Sequence, residues 1–354
     1  MFSKTDEKLI NYAMHPETGM KITVIGGGTG LATLLRGLKL YSNNITAIVT
    51  VADNGGSSGM LREDLKILPP GDIRNCILAL ADTEPLLSDL FNHRFTEGRL
   101  SGQSFGNLFI AAMNAISENF YDAVRNVSHV LAVKGRVLPV SLTDIQIGAK
   151  LKNGNIVIGE NEIGHRDASN QSPIESVFMS PQQAKPLPDA IAALRSADLI
   201  VLGPGSLYTS IIPNLLFHEI ADAIDKSHAL KMFVANIMTQ PAETDDYDAA
   251  AHIKAVLEHV DSKTGKGFID YCVVNDGWID PSLIEKYRLE NAVPVVFDKE
   301  VVHDMGIRVI SAPLACVNNG VIRHDHTMLA KVILRQAIDV MSSCTIEDAS
   351  FKKD

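Results

Sequence analysis

The sequence predicts a doubly wound α/β fold with a mostly parallel sheet and a small antiparallel β insertion. Residues 20–25 form a β-branched apolar run that stops at the glycines of residues 26–30. Leucines at helical spacing follow, and a second apolar run at residues 45–51 completes a βαβ unit. Such near-continuous apolar strands are typical of a parallel sheet that helices cover on both faces. Asn153 and Gly154 separate two further apolar runs, which is a strong signal for an antiparallel hairpin.

The same alternation continues along the chain. The predicted strands are residues 20–25, 45–51, 198–203, 231–237, 268–274 and 293–297. The predicted helices are residues 31–40, 71–81, 84–95, 104–117, 121–133, 190–195, 246–260, 283–290 and 325–341. We assign residues 1–19 to an N-terminal extension without a clear period, and residues 20–354 to a single domain that carries the β insertion at about residues 136–180.

Composition and charge narrow the classes of partner. The 354 residues are 46% hydrophobic and 21% charged, which is typical of a globular protein and not of a disordered one. A formal net charge of −10 disfavours a general nucleic-acid binder and an anionic membrane surface. No run of about 18 apolar residues indicates a transmembrane helix. We therefore expect a soluble protein that binds small molecules and other proteins, and neither nucleic acid nor membrane.

The spacing of the cysteines is typical of a protein in a reducing compartment. Cys76, Cys272, Cys316 and Cys344 are scattered singly, without a C-x-x-C spacing. Structural zinc and a disulfide framework are therefore not expected. The N-terminus also has no apolar run long enough for a signal peptide, so a cytoplasmic location is expected.

The glycines at residues 26–30, here called loop 1, stand between a strand and a helix. A phosphate-binding loop requires this context, because glycines let the backbone approach an anion and the helix N-terminus offers free N–H groups. A dinucleotide fingerprint is incomplete, since Thr33 occupies the place of its third glycine. A purely structural tight turn remains the alternative.

A second small-residue segment, residues 52–59, follows the second strand. Asp53 takes the place of the acid that holds a ribose hydroxyl in dinucleotide-binding folds. The glycines and the two serines after it favour a backbone nest around an anion. A flexible surface loop is the alternative interpretation.

Two predicted helix starts add polar side chains. Asp72 is a natural N-cap residue, which places Arg74 and Asn75 in the first helical turn. Ser104 and Asn107 open another helix. Residues 102–106 match the G-x-S-x-G nucleophile elbow, but no buried strand precedes them, so a hydrolase is not expected.

Residues 203–210 repeat the pattern of loop 1, and their first four residues, 203–206, are here called loop 2. They follow an apolar strand directly, and Pro204 and Gly205 favour a tight turn. Ligands of open α/β sheets bind outside the carboxyl ends of the strands, so loops 1 and 2 can face one crevice. Together these loops make phosphate binding the favoured function.

Other candidates are weaker. His324 and His326 could ligate a metal, but histidines two residues apart on a helix point to different faces, and capping or surface positions are favoured. The acids of residues 243–246 are interpreted as a helix start.

As a set, the four loops resemble the bacterial gluconeogenesis-factor family. The four segments that carry the resemblance are residues 26–30, 51–58, 70–75 and 203–210, and the likeness extends from about Lys21 to Arg335. That family is related to the 2-phospho-L-lactate transferases, which build a deazaflavin coenzyme. The resemblance implies a Rossmann-like cytoplasmic protein that binds UDP-sugars and supports growth on gluconeogenic carbon sources, cell shape and wall synthesis.

The resemblance also assigns residues. It implies that Thr29, Tyr287 and Arg323 bind the UDP-sugar, which is chemically sensible for phosphate, base and diphosphate contacts. The transferase relatives tend to carry adjacent acids where this chain has Asp53 and Asn54. Because an amide is not a general base, a regulatory nucleotide-sugar sensor is favoured over a transferase.

Several alternatives stay open. If the protein is a transferase, Asp53 and Asp72 are its candidate catalytic acids and Mg²⁺ its candidate metal. A dinucleotide-dependent oxidoreductase that binds NAD is the least favoured alternative. No cofactor is expected to be required, and a regulated partner enzyme and a homodimer are the expected protein partners. The candidate ligand-binding residues are Gly27, Gly28, Thr29, Gly30, Asp53, Asn54, Gly55, Gly56, Ser57, Ser58, Asn75, Ser104, Asn107, Gly203, Pro204, Gly205, Ser206, Tyr287 and Arg323.

Overall fold

The computed structural model describes residues 3–82, 85–166, 172–260 and 267–350. Its strands, in chain order from β1 to β12, are Ile22–Gly26, Ile45–Val49, Arg136–Pro139, Gln146–Leu151, Ile156–Ile158, Ile174–Ser180, Leu199–Leu202, Leu230–Val234, Tyr271–Asn275, Arg308–Ala312, Ala315–Asn318 and Val321–His324. Seven of them form one sheet in the order β10-β9-β8-β7-β1-β2-β3. Every neighbouring pair in that sheet is parallel. The predicted doubly wound α/β class is confirmed.

The strand order reverses at β1. Ile22 of β1 pairs with Ile45 of β2 on one side and with Leu199 of β7 on the other. All residues of β1, β2 and β7 are buried, because helices cover both faces of the sheet. The loops that follow β1 and β7 therefore flank a topological switch point, where ligands of open α/β sheets bind.

Fifteen α-helices are present in the described residues. From α1 to α15 they are Lys4–Met14, Gly28–Leu38, Gly56–Leu65, Gly71–Leu80, Pro85–Asn92, Phe105–Ala115, Phe120–Val130, Glu160–Gly164, Pro188–Ser196, Ile212–Leu215, His218–Asp225, Ala249–His259, Pro281–Arg288, Lys299–Asp304 and His326–Ser350. The core-facing side of α2 shows why the sequence folds this way, because Leu31, Leu34, Leu35 and Leu38 are fully buried at helical spacing. None of these helices is both long and apolar enough to cross a bilayer.

Several element bounds differ from the sequence expectations. Residues 56–59 belong to the segment 52–59 that was expected as an anion-binding nest or a flexible loop, but they form the first turn of α3. Residues 293–297 form no strand and are joined to residue 238 by an isolated bridge at Pro294. The predicted helix at residues 84–95 is seen as α5, while residue 84 lies outside the described residues. The helix predicted from residue 246 begins at Ala249.

The predicted N-terminal extension contains a packed helix. Ser3 caps α1 by accepting a hydrogen bond from the N–H of Asp6 at 3.1 Å. Leu9 and Tyr12 are buried, and Asp6 pairs with Arg335 of α15 at 3.0 Å. Residues 1 and 2 of the extension lie outside the described residues. The extension therefore continues the helical layer that covers one face of the sheet.

The antiparallel insertion is a three-stranded sheet in the order β5-β4-β6. Asn153 and Gly154 lie at the turn between β4 and β5, and Gly154 has a φ of 89°, which favours glycine. The predicted hairpin is confirmed. The insertion begins later than residue 136, because Arg136–Pro139 is the edge strand β3 of the main sheet and pairs with β2.

Candidate functional site

Loops 1 and 2 touch each other at the switch point. A Cβ atom added to Gly30 would lie 2.6 Å from the carbonyl oxygen of Pro204, and one added to Gly205 would lie 3.3 Å from the carbonyl oxygen of Gly27. A side chain at Gly30 would therefore collide with the backbone of loop 2. The glycines therefore allow two loops from neighbouring strands to open on one crevice.

The crevice has a volume of about 380 Å³. The three residues that the resemblance assigns to a UDP-sugar, Thr29, Tyr287 and Arg323, all line it, although they belong to α2, α13 and β12. The full lining is Gly27, Gly28, Thr29, Gly30, Thr33, Pro204, Gly205, Ser206, Ser210, Asn236, Ile237, Met238, Thr239, Gln240, Pro241, Tyr287, Glu290, Ala292, Ile322, Arg323 and His324.

The N-terminus of α2 points into this crevice. Its N-cap residue, Gly27, has no side chain to cap the helix. The N–H of Gly28 donates to the carboxylate of Asp72, while the N–H groups of Thr29 and Gly30 have no intrahelical acceptor. Free N–H groups and the positive end of the helix dipole favour an anion at this position.

Tyr287 positions the hairpin that carries Arg323. Its phenol oxygen accepts a hydrogen bond from the backbone N–H of Ile322 at 2.9 Å. Arg323 itself is exposed, and among the described residues its guanidinium makes one hydrogen bond, to the carbonyl oxygen of Ile322 at 3.5 Å. The cation at the mouth of the crevice is therefore available to an anionic ligand.

Loop 2 is held by two side chains that the sequence analysis did not select. Asn236 donates to the carbonyl oxygen of Gly205 at 2.8 Å and accepts from its N–H at 3.1 Å. Glu243 accepts from the hydroxyl of Ser206 at 2.5 Å. The interpretation of residues 243–246 as a helix start is wrong, because α12 begins at Ala249 with Asp248 as its N-cap residue. The position of Asn236, two residues after the end of β8, could have indicated a role at the carboxyl edge of the sheet.

His324 forms part of the inner wall of the crevice. It is 8% exposed, and burial lowers its pKa to about 4, so the ring is neutral at pH 7. Its Nε2 atom has no hydrogen-bond partner among the described residues. Asp325, the next residue, accepts from the N–H groups of Thr327 and Met328 at 2.9 Å and so caps α15.

Four carboxyl groups lie behind loop 1 and are here called the acid cluster: Asp53, Asp72, Glu160 and Glu243. Burial raises the pKa of Asp72 to about 7, with a further contribution from the charge of Asp53. Burial likewise raises the pKa of Glu160 to about 8, and the charges of the other three acids add to it. Burial also raises the pKa of Glu243. The cluster therefore carries less negative charge near neutral pH than its composition suggests.

Asp72 was expected to cap a helix, but α4 begins one residue earlier, at Gly71. Asp72 consequently lies in the first turn, where its carboxylate is packed directly against Gly27. A side chain at Gly27 would collide with this carboxylate. The acid and loop 1 are thus in direct contact.

Asn54 faces the insertion and not the acid cluster. Its side-chain oxygen accepts from the N–H of Asn161 at 2.8 Å, and its amide nitrogen donates to Glu162 at 2.8 Å. Both partners belong to α8, whose first residue, Glu160, joins the acid cluster. No signal in the sequence shows that the insertion folds back to this edge, so Glu160 was not selected.

Four of the predicted ligand-binding side chains lie where the starts of α3, α4 and α6 meet. Ser57 accepts from the N–H of Ser104 at 3.2 Å and from Asn107 at 3.0 Å, and Ser58 accepts from the N–H of Gly71 at 3.1 Å. All four are at most 4% exposed. Asn75 accepts from Arg74 at 2.9 Å, while Gly55 and Gly56 form the start of α3. None of these residues is part of the crevice lining.

A protein-family model and several known proteins match most of this chain. The model of the family described as 2-phospho-L-lactate transferase CofD matches residues 22–315. A relative from Thermoanaerobacterium thermosulfurigenes is 53% identical over 316 residues, which are 89% of this chain and 96% of the relative. A Bacillus subtilis (strain 168) protein named "Gluconeogenesis factor" is 49% identical over 318 residues, covering 89% of this chain and 97% of that protein.

A solved structure shows the same fold. The crystal structure of a protein from Bacillus halodurans matches with a TM-score of 0.85 and 44% sequence identity. The match covers 90% of this chain and 100% of that chain.

Proposed function

The chain belongs to the gluconeogenesis-factor family, within the wider family of 2-phospho-L-lactate transferase CofD, and we propose that it is a cytoplasmic regulatory protein that binds a UDP-sugar. The observation that carries this proposal is the crevice at the switch point, which gathers Thr29, Tyr287 and Arg323 from three distant parts of the chain. The bound UDP-sugar changes the behaviour of a partner enzyme. This regulation serves growth on gluconeogenic carbon sources, cell shape and wall synthesis.

The chemistry of the crevice suits a nucleoside diphosphate. The diphosphate binds at the N-terminus of α2, with the hydroxyl of Thr29 and the guanidinium of Arg323 as further donors. The ring of Tyr287 offers a face for the base, since its hydroxyl is already bonded to Ile322. The volume of about 380 Å³ is within the range of small-molecule pockets.

The acid cluster is compatible with a nearby phosphate. Asp72 and Glu160 have pKa values raised to about 7 and about 8, so both are partly protonated at neutral pH. Protonation reduces their repulsion of a ligand anion. An anionic ligand would in turn raise these pKa values further, because a nearby like charge disfavours the ionised carboxylate.

Binding of a ligand panel tests the proposal. Thermal-shift titrations of UDP-N-acetylglucosamine, UDP-glucose and NAD would be compared, with and without Mg²⁺. A UDP-sugar should raise the melting temperature in a saturable manner while NAD has little effect. Stabilisation by NAD alone would overturn the proposal and favour a dinucleotide-binding protein.

The second candidate function is a transferase of phosphorus-containing groups. The family match and the acids Asp53 and Asp72 beside loop 1 favour it. Carboxylates suit a hard cation such as Mg²⁺, but no three acids, histidines or cysteines of the described residues form a metal-ligand group. Turnover of a UDP-sugar with an acceptor alcohol, lost in Asp53→Ala, would establish the transferase and remove the purely regulatory function.

A further inference from the structure

An apolar groove lies next to the crevice, at the same edge of the sheet. It has a volume of about 550 Å³ and is here called the Trp278 groove. Trp278, the one tryptophan of the chain, is 78% exposed, and Val296 is 66% exposed. The lining is Ile237, Asn275, Asp276, Gly277, Trp278, Ile279, Pro281, Ile284, Pro294, Val295, Val296 and Phe297. Exposed apolar surface of this kind marks interaction sites.

We propose that the Trp278 groove is the docking site of a partner protein that presents an apolar segment flanked by lysine or arginine. This inference rests on the proposed function, since it supplies the surface through which a bound UDP-sugar acts on a partner. Tryptophan is among the residues that contribute most to binding energy at protein interfaces.

The charge around the groove specifies the partner. Asp276 is the one charged residue of the lining. The exposed Asp280 and Asp298 adjoin lining residues in the sequence and are the N-cap residues of α13 and α14. None of the three forms a salt bridge within the described ranges of the chain, and Lys299 is the cation nearest in sequence. A second copy of this chain, with its net charge of −10, is a poor match for an acidic rim. A basic flank on another protein is complementary to it.

The groove and the crevice share two walls. Ile237 lines both cavities. The N–H of Val295 donates to the carbonyl oxygen of Ile237 at 2.9 Å, and this bond joins residues 293–295 to residues 237–239. Helix α13 separates the two cavities, with Ile284 on the groove side and Tyr287 on the crevice side. A ligand that contacts Tyr287 therefore contacts the helix that supports a docked partner.

Panning of a random peptide library displayed on phage tests the docking site. Full-length protein would be the target, and each enriched peptide would then be titrated into the Trp278→Asp variant, which should bind it weakly. We expect enrichment of peptides with an apolar centre and basic flanks, whose binding shifts the emission of Trp278 to shorter wavelength. Ile116→Asp is the matched control, since Ile116 is 81% exposed and remote from the groove in sequence, and this variant should bind the peptides normally.

Three outcomes would overturn the docking site. They are enrichment of peptides that bind Trp278→Asp equally well, enrichment of acidic flanks, and a dimer in sedimentation analysis that Trp278→Asp dissociates. The last outcome would assign the groove to a second copy of the chain.

Coupling is tested by adding UDP-N-acetylglucosamine to the same peptide titration. We expect the affinity for the peptide to change by about fivefold or more, because coupling between allosteric sites is typically of this size. Unchanged peptide affinity, under conditions where calorimetry shows the UDP-sugar bound, would overturn the coupling and leave the proposed function intact. Absence of UDP-sugar binding, with peptide binding intact, would overturn the proposed function alone.

Discussion

The phenol oxygen of Tyr287 accepts a hydrogen bond from the backbone N–H of Ile322 at 2.9 Å, and this bond connects α13 to the hairpin that carries Arg323. The two residues are separated by 35 positions in the chain. The bond gives Tyr287 a second role besides offering a ring face to a base. It fixes the backbone immediately before the cation of the crevice.

Substitution of Tyr287 by phenylalanine separates these two roles. The ring remains, but the N–H of Ile322 loses its acceptor. A neutral hydrogen bond of this kind contributes about 0.5–1.5 kcal/mol. We expect UDP-sugar affinity to fall by about two- to tenfold in Tyr287→Phe, and further in Tyr287→Ala. An affinity in Tyr287→Phe equal to that of the natural protein would show that the ring alone matters.

Removal of the Asp72 carboxyl should stabilise the protein at alkaline pH. The folded-state pKa of about 7 exceeds the ordinary value of 3.8, so the folded state binds more protons between these values and stability decreases as the pH rises through them. Asp72→Asn retains an acceptor for the N–H of Gly28 and has no proton to lose. The stability gain at pH 8 is expected to be on the order of a few kcal/mol, since one pKa unit corresponds to about 1.4 kcal/mol.

Thermal unfolding of Asp72→Asn between pH 4 and pH 8 measures this gain. The difference from the natural protein should shrink toward pH 4, where the carboxyl is protonated in the folded state. Asp64→Asn is the matched control, because Asp64 is an exposed residue of α3. A difference that is constant with pH would contradict the burial of a proton at Asp72.

A methyl group at position 30 should separate the two loops. The added Cβ would meet the carbonyl oxygen of Pro204 at 2.6 Å, so the backbone of loop 1 or loop 2 must move. We expect Gly30→Ala to lose about 1–3 kcal/mol of unfolding free energy, as overpacked sites do, and to weaken UDP-sugar binding. Gly55→Ala is the control, because its Cβ would lie 3.4 Å from the nearest atom. Equal stability of the two variants would contradict the close contact.

Substitution of Asn54 by aspartate should weaken the contact between residue 54 and helix α8 of the insertion. Asn54→Asp keeps an acceptor for the N–H of Asn161 but loses the donor to Glu162 and places two carboxylates together. Hydrogen exchange of the Asn161 amide should therefore be faster in Asn54→Asp. Combining it with Glu162→Gln removes the repulsion and should restore slow exchange. Exchange as slow as in the natural protein would show that Asn54 does not hold α8.

The main sheet and its switch point could be predicted from the sequence, because the apolar runs before residues 26 and 203 end at glycines and helices follow both. Loops 1 and 2 were placed by the general rule for open α/β sheets. Tyr287 and Arg323 came from the family resemblance, since nothing local in α13 or β12 indicates a ligand.

Contacts between distant segments could not be predicted. Ser57 and Ser58 have the composition of an anion-binding nest, yet tertiary packing places them in α3 against α4 and α6. Glu160 lies in the insertion and Glu243 lies in the segment before α12. No local sequence pattern predicts that these two segments bring their carboxyl groups to the acid cluster. The small, polar composition of residues 53–58 fits a buried helix start as well as a nest.

The most direct test of the central claim is a calorimetric titration of UDP-N-acetylglucosamine into the natural protein and into Arg323→Ala, with Arg99→Ala as the exposed control. We predict saturable one-site binding that Arg323→Ala weakens by about 1.5–3 kcal/mol, the typical contribution of a charged hydrogen bond, and that Arg99→Ala leaves unchanged. Equal affinity in all three proteins would place the ligand away from Arg323. No heat of binding to the natural protein, for this UDP-sugar and for UDP-glucose, would contradict the nucleotide-sugar function.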